Sequence, residues 1–180
     1  VMPIIQMGFE PVPVDCERNT LNVSSRTLLD RLNEVDIRAF FVTNALGFAG
    51  DLAEICRLCA ERGIMLIEDN CEALGTELPE GKTGNFGVAA TFSFFVAHHM
   101  STIEGGMLVT DDAELGTMFR VARTNGWDRN LSPADQVRLR KEHEVSSELF
   151  AKYTFYDLGF NIRPTEITGF LGLQQLALLE

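Results

Sequence analysis

An α/β fold built on a parallel sheet is what this sequence predicts, and three features carry that reading. Two short apolar runs rich in β-forming residues, Ile37–Val42 and Ile64–Ile67, flank a segment, Asp51–Arg62, whose apolar residues recur at helical spacing. Strand, about a dozen helical residues, then strand is the pattern of a βαβ crossover, which sets the two strands parallel. Two further apolar runs, Val88–Phe95 and Met107–Thr110, continue as strands.

Each element has its own justification. In Asp51–Arg62, Leu52, Ile55, Cys56 and Cys59 share one face, and Asp51 with Glu54 has the spacing of a capping box. Cys56-x-x-Cys59 has the form of a redox or zinc motif, but no second pair accompanies it. Both cysteines fall in the apolar stripe, so core packing is expected. Asp111 is expected to cap a helix that presents Leu115, Met118, Phe119 and Ala122 on one face. Asn125 to Ser147 is polar and irregular and reads as a loop with a short helix. A last helix is expected after Pro164, with Ile167, Phe170 and Leu171 as its core stripe. The uncapped apolar opening Val1–Ile5 and the abrupt apolar ending around Leu176, Leu178 and Leu179 read as cuts through a larger protein.

The bulk numbers narrow the function classes. A chain of 180 residues is long enough for one domain with a real core, and 46% apolar residues without a charge block argues against disorder. The net charge of −11 argues against a nucleic-acid partner, which needs clustered Lys and Arg. It leaves room for a phosphorylated ligand, since one pocket can be locally positive. Cys16, Cys56, Cys59 and Cys71 form no disulfide framework, and no signal peptide or apolar run of about 18 residues is present; a cytoplasmic protein without a membrane segment is expected.

In parallel α/β sheets ligands sit beyond the carboxyl ends of the strands. Asp69 ends the strand that starts at Ile64, inside Glu68-Asp69-Asn70-Cys71-Glu72. A carboxylate there can pair with a cationic ring nitrogen and keep it protonated. It can equally cap the turn after the strand, and the residue alone favours that plainer role. The stretch Thr91–Met107 places Ser93, His98, His99 and the Gly105-Gly106 turn close together in sequence. Ser93 can donate to a phosphate, and an imidazole suits proton shuttling, although an isolated histidine is more often structural. A metal site from His98, His99 and His143 is not expected, because adjacent histidines in extended chain point apart and no carboxylate pattern completes the set. Gly47-Phe48-Ala49-Gly50 lacks the G-x-G-x-x-G spacing of a dinucleotide site.

Several motifs, in order along the chain, are similar to those of the DegT/DnrJ/EryC1/StrS sugar aminotransferases. They are Gly8-Phe9-Glu10-Pro11-Val12, then Asp69 with Glu72 and Gly75, then Thr91-Phe92-Ser93-Phe94, then Glu104-Gly105-Gly106. Gly159 to Glu166 (Gly-Phe-Asn-Ile-Arg-Pro-Thr-Glu) completes the set. The resemblance implies that residues 1–180 are part of the large domain of a fold-type-I pyridoxal-phosphate enzyme. A phosphate-binding turn before this segment and a small domain after it are implied to lie outside it.

The resemblance also implies roles. Asp69 looks like the aspartate that pairs with the pyridine nitrogen, and Glu72 stands where the family's usual glutamine lies near the ring. Ser93 looks like the phosphate-contacting serine. Asn161 looks like the asparagine that reaches the phosphate of the neighbouring subunit's cofactor, which implies a homodimer with shared sites. Five positions after the serine the family places a lysine that binds the cofactor covalently; here that position is His98. An imidazole cannot form that link, so a non-covalent cofactor, pyridoxamine or pyridoxal phosphate, is implied.

A dehydratase branch of the family carries the same replacement. It implies 3-dehydration of a nucleotide-linked 4-keto-6-deoxy sugar for surface polysaccharide, with glutamate as amino donor. His98 would remove a proton from the cofactor's methylene carbon and protonate the departing 3-hydroxyl. His99 is assigned to loop structure or substrate contact. The iron–sulfur cluster of another branch is not expected, because Asn125–Leu131 contains no cysteine. Two alternatives stay open: a nucleotide-sugar aminotransferase with an unusual base, and a non-catalytic cofactor-binding module.

Overall fold

The computed structural model describes residues 1–179 and divides into two compact units, Val1–Phe94 and Phe95–Glu180. The first unit begins with a short helix, α1 (Met2–Gln6), and a second, α2 (Ser25–Leu32). The Ser24 side chain caps α2 by accepting from the Thr27 N–H, and Thr27 returns the bond to the Ser24 N–H. Then come β1 (Ala39–Thr43), a single 3₁₀ turn (Ala45–Gly47), α3 (Leu52–Arg62) and β2 (Met65–Asp69). A small antiparallel hairpin, β3 (Glu77–Leu78) with β4 (Gly81–Lys82), precedes β5 (Ala89–Ser93).

The expected βαβ unit is present: β1 and β2 run parallel with Ala39 opposite Met65 and Thr43 opposite Asp69. β5 joins β2 in parallel, with Asp69 opposite Thr91. Side chains alternate across the sheet, so one face carries Phe40, Val42, Leu66 and Glu68. That face packs on Leu28 of α2 and on Leu52 and Ile55 of α3, and all seven of these residues are buried. The other face is open, with Phe41 46% and Met65 50% exposed. Asp69, at the end of β2, belongs to this second face. Cys59 is buried as the apolar stripe predicts, and Cys56 lies partly buried, its thiol donating to the Phe86 carbonyl at 3.2 Å.

One buried charge organises the end of this sheet. Glu68 is fully buried, and its carboxylate accepts from the backbone N–H groups of Gly84, Phe86 and Gly87 at 2.7, 2.8 and 2.9 Å. Those amides lead directly into β5, so the carboxylate fixes the chain that delivers Thr91 and Ser93. Gly84 must be glycine here: its φ is +98°, and a Cβ would meet the Phe92 ring at 2.9 Å.

The second unit contains β6 (Gly106–Val109), α4 (Ala113–Ala122), α5 (Pro133–Glu142), α6 (Glu148–Ala151) and α7 (Glu166–Leu176). Segments 122–126 and 156–162 zip together: Phe160 N–H donates to Ala122 O at 2.6 Å, Asn125 N–H to Phe160 O at 2.8 Å, and Ile162 N–H to Arg123 O at 3.1 Å. The buried Asp128 carboxylate accepts from Arg140 Nε at 2.7 Å and pins α5 to the loop that carries it.

Several expectations are corrected. Asp51 occupies the N-cap position of α3 but makes no capping bond, because its carboxylate takes the N–H and hydroxyl of Ser25 instead. The cap of α4 is Asp112, not Asp111, accepting from the N–H groups of Glu114 and Leu115. Its buried positions are Thr117 and Val121, while Met118 is exposed. The short helix expected within the irregular Asn125–Ser147 stretch is present as the ten-residue α5, capped by Ser132 and started by Pro133. α7 forms where expected, yet Ile167 and Phe170 are exposed and none of its residues is buried. Its apolar stripe is a face, not a core.

Truncating Glu68 strands three partly buried N–H donors, each costing about 1–3 kcal/mol when left unpaired. Glu68→Ala is therefore expected to lower unfolding free energy by roughly 3 kcal/mol or more, measured by urea denaturation. Glu61→Ala, an exposed helix residue paired with Arg57, is the control and should stay within about 0.5 kcal/mol of the parent.

Candidate active site

In the first unit, Asp69, Glu72 and Ser93 gather at the carboxyl ends of neighbouring parallel strands. Asp69 is the last residue of β2 and Ser93 the last of β5. Asp69 Oδ1 accepts twice, from the Cys71 backbone N–H at 3.2 Å and from the Thr91 hydroxyl at 3.1 Å. The plain turn-capping role is thus real, and the Thr91 bond exceeds it. Thr91 reaches Asp69 because the parallel register sets the two residues side by side on one face.

Glu72 has a partner as well. Its Oε2 accepts from the Leu46 N–H at 2.9 Å, and the Thr76 hydroxyl donates to Gly47 O at 2.8 Å. The turn after β2 thereby latches the 3₁₀ turn after β1, where Leu46 sits at the left-handed φ of 56°. One Glu72 oxygen holds this loop and the other is used by no bond within it.

The Cys71 thiol lies between these carboxylates. Burial pushes it up to about 11, reinforced by its hydrogen bond to Asp69 and by the charges of Asp69 and Glu72. The thiol therefore stays neutral beside two acids near pH 7. Such a protonated thiol is a weak nucleophile.

His98 belongs to the second unit, five positions beyond Ser93 in sequence. Its N–H donates to Phe95 O at 3.0 Å, closing a turn, and its ring meets the Phe95 ring edge-on with centroids 5.8 Å apart. His98 Nδ1 is buried and has no hydrogen-bond partner among the described residues. His99 is exposed. Further along, Ser101 N–H reaches Gln175 Oε1 of α7 at 3.5 Å.

Asn161 forms an isolated antiparallel bridge with Thr124, and its side-chain oxygen accepts from Arg163 Nε at 2.9 Å. The carboxamide NH₂ remains as the donor end. Gly126 and Gly159 make the close approach possible: a Cβ on Gly126 would lie 2.0 Å from Asp157 O, and one on Gly159 would lie 2.2 Å from Gly126 N. Sequence reasoning missed Glu68, Thr91 and the Gly126–Gly159 contact. Thr91 and Gly159 sit inside motifs quoted above, but their partners are brought near only by the fold.

Comparison with known proteins shows the family and the fold. A profile of the DegT/DnrJ/EryC1/StrS aminotransferase family matches residues 1–180, and the chain belongs to that family. It is 36% identical over 174 residues to GDP-4-keto-6-deoxy-D-mannose 3-dehydratase of Escherichia coli O55:H7, covering 97% of this chain and 44% of that protein. It is also 37% identical over 177 residues to GDP-perosamine synthase of Vibrio cholerae, covering 98% of this chain and 42% of that one. Among solved structures, GDP-4-keto-6-deoxymannose-3-dehydratase with a trapped PLP–glutamate geminal diamine superposes with a TM-score of 0.85 at 34% identity, over 99% of this chain and 45% of that one. The α/β fold is that of the fold-type-I aminotransferases. The chain spans less than half the length of these relatives. Among the described residues no helix is long and apolar enough to cross a membrane.

Two outcomes are expected. Gly126→Ala should displace the 156–162 segment and cost about 2 kcal/mol or more by thermal denaturation, because backbone, not a flexible side chain, blocks the new methyl. For the thiol, a folded-state value near 11 against an ordinary 9.0 means the unfolded chain releases its proton first. Stability from Cys71 is then complete below about pH 9 and falls as pH rises towards 11, with Cys59, also raised to about 11, adding to the slope. Calorimetry from pH 8 to 11 should show a shallower loss in Cys71→Ala than in the parent.

Proposed function

We propose that this chain supplies cofactor-binding and catalytic residues of a pyridoxamine/pyridoxal-phosphate-dependent dehydratase. Its substrate is a nucleotide-linked 4-keto-6-deoxy sugar, which loses its 3-hydroxyl to give a 3-deoxy-4-keto sugar for surface polysaccharide. The observation that carries this reading is His98, standing where the family's covalent lysine belongs, with Nδ1 buried and unpartnered. The E. coli relative has this activity in its name, and a solved GDP-4-keto-6-deoxymannose-3-dehydratase holds a PLP–glutamate geminal diamine. Glutamate is accordingly the proposed amino donor, and a cytoplasmic homodimer with shared sites the proposed working form.

The residues present suit the cofactor. Asp69 offers an anionic acceptor at a strand end on the open face of the first unit's sheet, suited to a protonated ring nitrogen. Ser93, at the end of β5, is proposed to donate to the phosphate, and the Asn161 carboxamide NH₂ to the phosphate of the neighbouring subunit. Glu72, with one oxygen committed to Leu46, would keep the other for the ring's edge. When bound, the cofactor supplies an electron sink and an amine that condenses with the 4-keto group.

His98 would take a proton from the cofactor's methylene carbon and return one to the leaving 3-hydroxyl. A neutral imidazole has one acceptor nitrogen for the first transfer and becomes the donor for the second. A second reading, amino transfer, is favoured by the identity to GDP-perosamine synthase. The absence of lysine at position 98 opposes it, and Lys82, Lys141 and Lys152 lie far from it in sequence.

The decisive experiment incubates the full-length protein with pyridoxamine phosphate, glutamate and GDP-4-keto-6-deoxymannose and reads the sugar by mass spectrometry. Loss of the 3-hydroxyl oxygen is expected, and a new amino group at C4 would overturn the dehydratase reading. His98→Gln should lower the rate by about 10²–10⁴-fold while holding pyridoxamine phosphate within a few-fold of the parent, checked by fluorescence titration.

A further inference from the structure

Asp69 has two carboxylate oxygens, and the structure treats them differently. Oδ1 receives both the Cys71 amide and the Thr91 hydroxyl, and neither of these donors uses Oδ2. The two bonds differ in kind. The Cys71 bond is local, spans two residues and comes with the turn. The Thr91 bond comes from a neighbouring strand, and the parallel register alone brings it within reach. Thr91 is itself held, because its carbonyl accepts the Asn70 N–H at 2.8 Å, one residue beyond Asp69. Asn70 is fully buried and takes the Asn44 carboxamide at 2.6 Å. The hydroxyl therefore stands on a rigid base.

A carboxylate held by one local bond can rotate about χ2, a broad and soft torsion. Adding a second donor on the same oxygen from another strand removes that freedom. The Cys71 thiol, hydrogen-bonded to the same carboxylate, is a third and neutral donor, so it brings no competing charge to Asp69 and is a weak bond for a charged ring nitrogen to displace.

We propose that Thr91 is a positioning residue for the cofactor: with the Cys71 amide it fixes Oδ1 of Asp69 and reserves Oδ2 for the protonated ring nitrogen. This role rests on the proposed pairing of Asp69 with that nitrogen. Thr91 touches neither substrate nor cofactor and acts only through Asp69. A β-branched residue suits the position twice, since its methyl fits the strand and its stiff χ1 holds the hydroxyl on target.

The test uses the full-length protein with ring-¹⁵N-labelled pyridoxal phosphate as probe. Three variants are compared with the parent: Thr91→Val, which keeps the shape and removes the donor; Thr91→Ser, which keeps the donor; and Asp69→Asn. The readouts are the dissociation constant and the ¹⁵N chemical shift, which reports directly whether the ring nitrogen carries a proton. Thr91→Val is expected to weaken binding by about tenfold and to move the ¹⁵N signal towards the unprotonated position, with Thr91→Ser restoring both. If Thr91→Val destabilises the fold, Thr91→Ala and Thr91→Ser are compared instead, where only a donor-dependent difference in ¹⁵N shift supports the role. Should Asp69→Asn lose ring protonation while Thr91→Val keeps it, the Thr91 inference alone is overturned. Should both variants keep it, the pairing of Asp69 with the ring is overturned too.

Discussion

A carboxylate with no water around it must find donors, and in the first unit Glu68 finds three amides of a single loop. The strand-end site depends on this constraint. An ion buried without compensation costs several kcal/mol, so the loop from Gly84 to Gly87 cannot drift while Glu68 stays inside. The loop feeds β5, and β5 carries Thr91 and Ser93. Because strand side chains alternate, Glu68 points to the packed face and Asp69, its neighbour, lies on the open one. One acid anchors the scaffold and the next lies on the open face. The pairing of roles comes from adjacency on a single strand.

In the strand-end cluster each carboxylate commits one oxygen to the bonds that hold it. Asp69 caps its own turn and yet keeps one oxygen clear of the two bonds that hold it. Glu72 spends one oxygen on the strained turn at Leu46. In each case one half of a carboxylate is fixed by backbone or hydroxyl donors and the other half is oriented as a result. A preoriented acceptor loses less freedom when a ligand arrives, which is the physical advantage of holding it in the empty protein.

The strands and α3 are legible in the sequence because their signals are strong: continuous apolar, β-rich runs for β1 and β2, and an apolar stripe through Leu52, Ile55 and Cys59. Asp69 falls at a strand end for the same reason, whereas Ser93 lies inside the expected run Val88–Phe95 and at the end of the shorter β5. What the sequence hides depends on competition or on distance. Asp51 fits a capping box, but Ser25, distant in sequence, offers two donors and wins. α2 carries both an apolar pair at helical spacing, Leu28 and Leu32, and a capping signal at Ser24 and Thr27, although it is absent from the elements expected above. α5 has no buried residue at all, so hydrophobic spacing has nothing to report; Ser132-Pro133 is the available cue. The stripe on α7 is apolar without being core, since periodicity reports a face and not what covers it.

Replacing a covalent lysine by histidine changes what the remaining contacts must accomplish. A covalent bond retains a cofactor whatever the quality of its surroundings, whereas His98 can hold nothing by that route. In the proposed dehydratase, retention between turnovers then falls on Asp69, Ser93 and Asn161, each a single polar contact whose net worth is of the order of 1 kcal/mol unless it is preorganised or charge-assisted. Preorganisation is what the structure provides at two of them. Asp69 is held from two directions, and the Asn161 carboxamide is turned by Arg163 so that its NH₂ end is left to donate. The loss of one covalent link thus makes the geometry of several weak contacts the quantity on which cofactor retention depends. On that proposal Thr91, Gly126 and Gly159 would matter for function without touching the cofactor, because they decide where Asp69 and Asn161 stand.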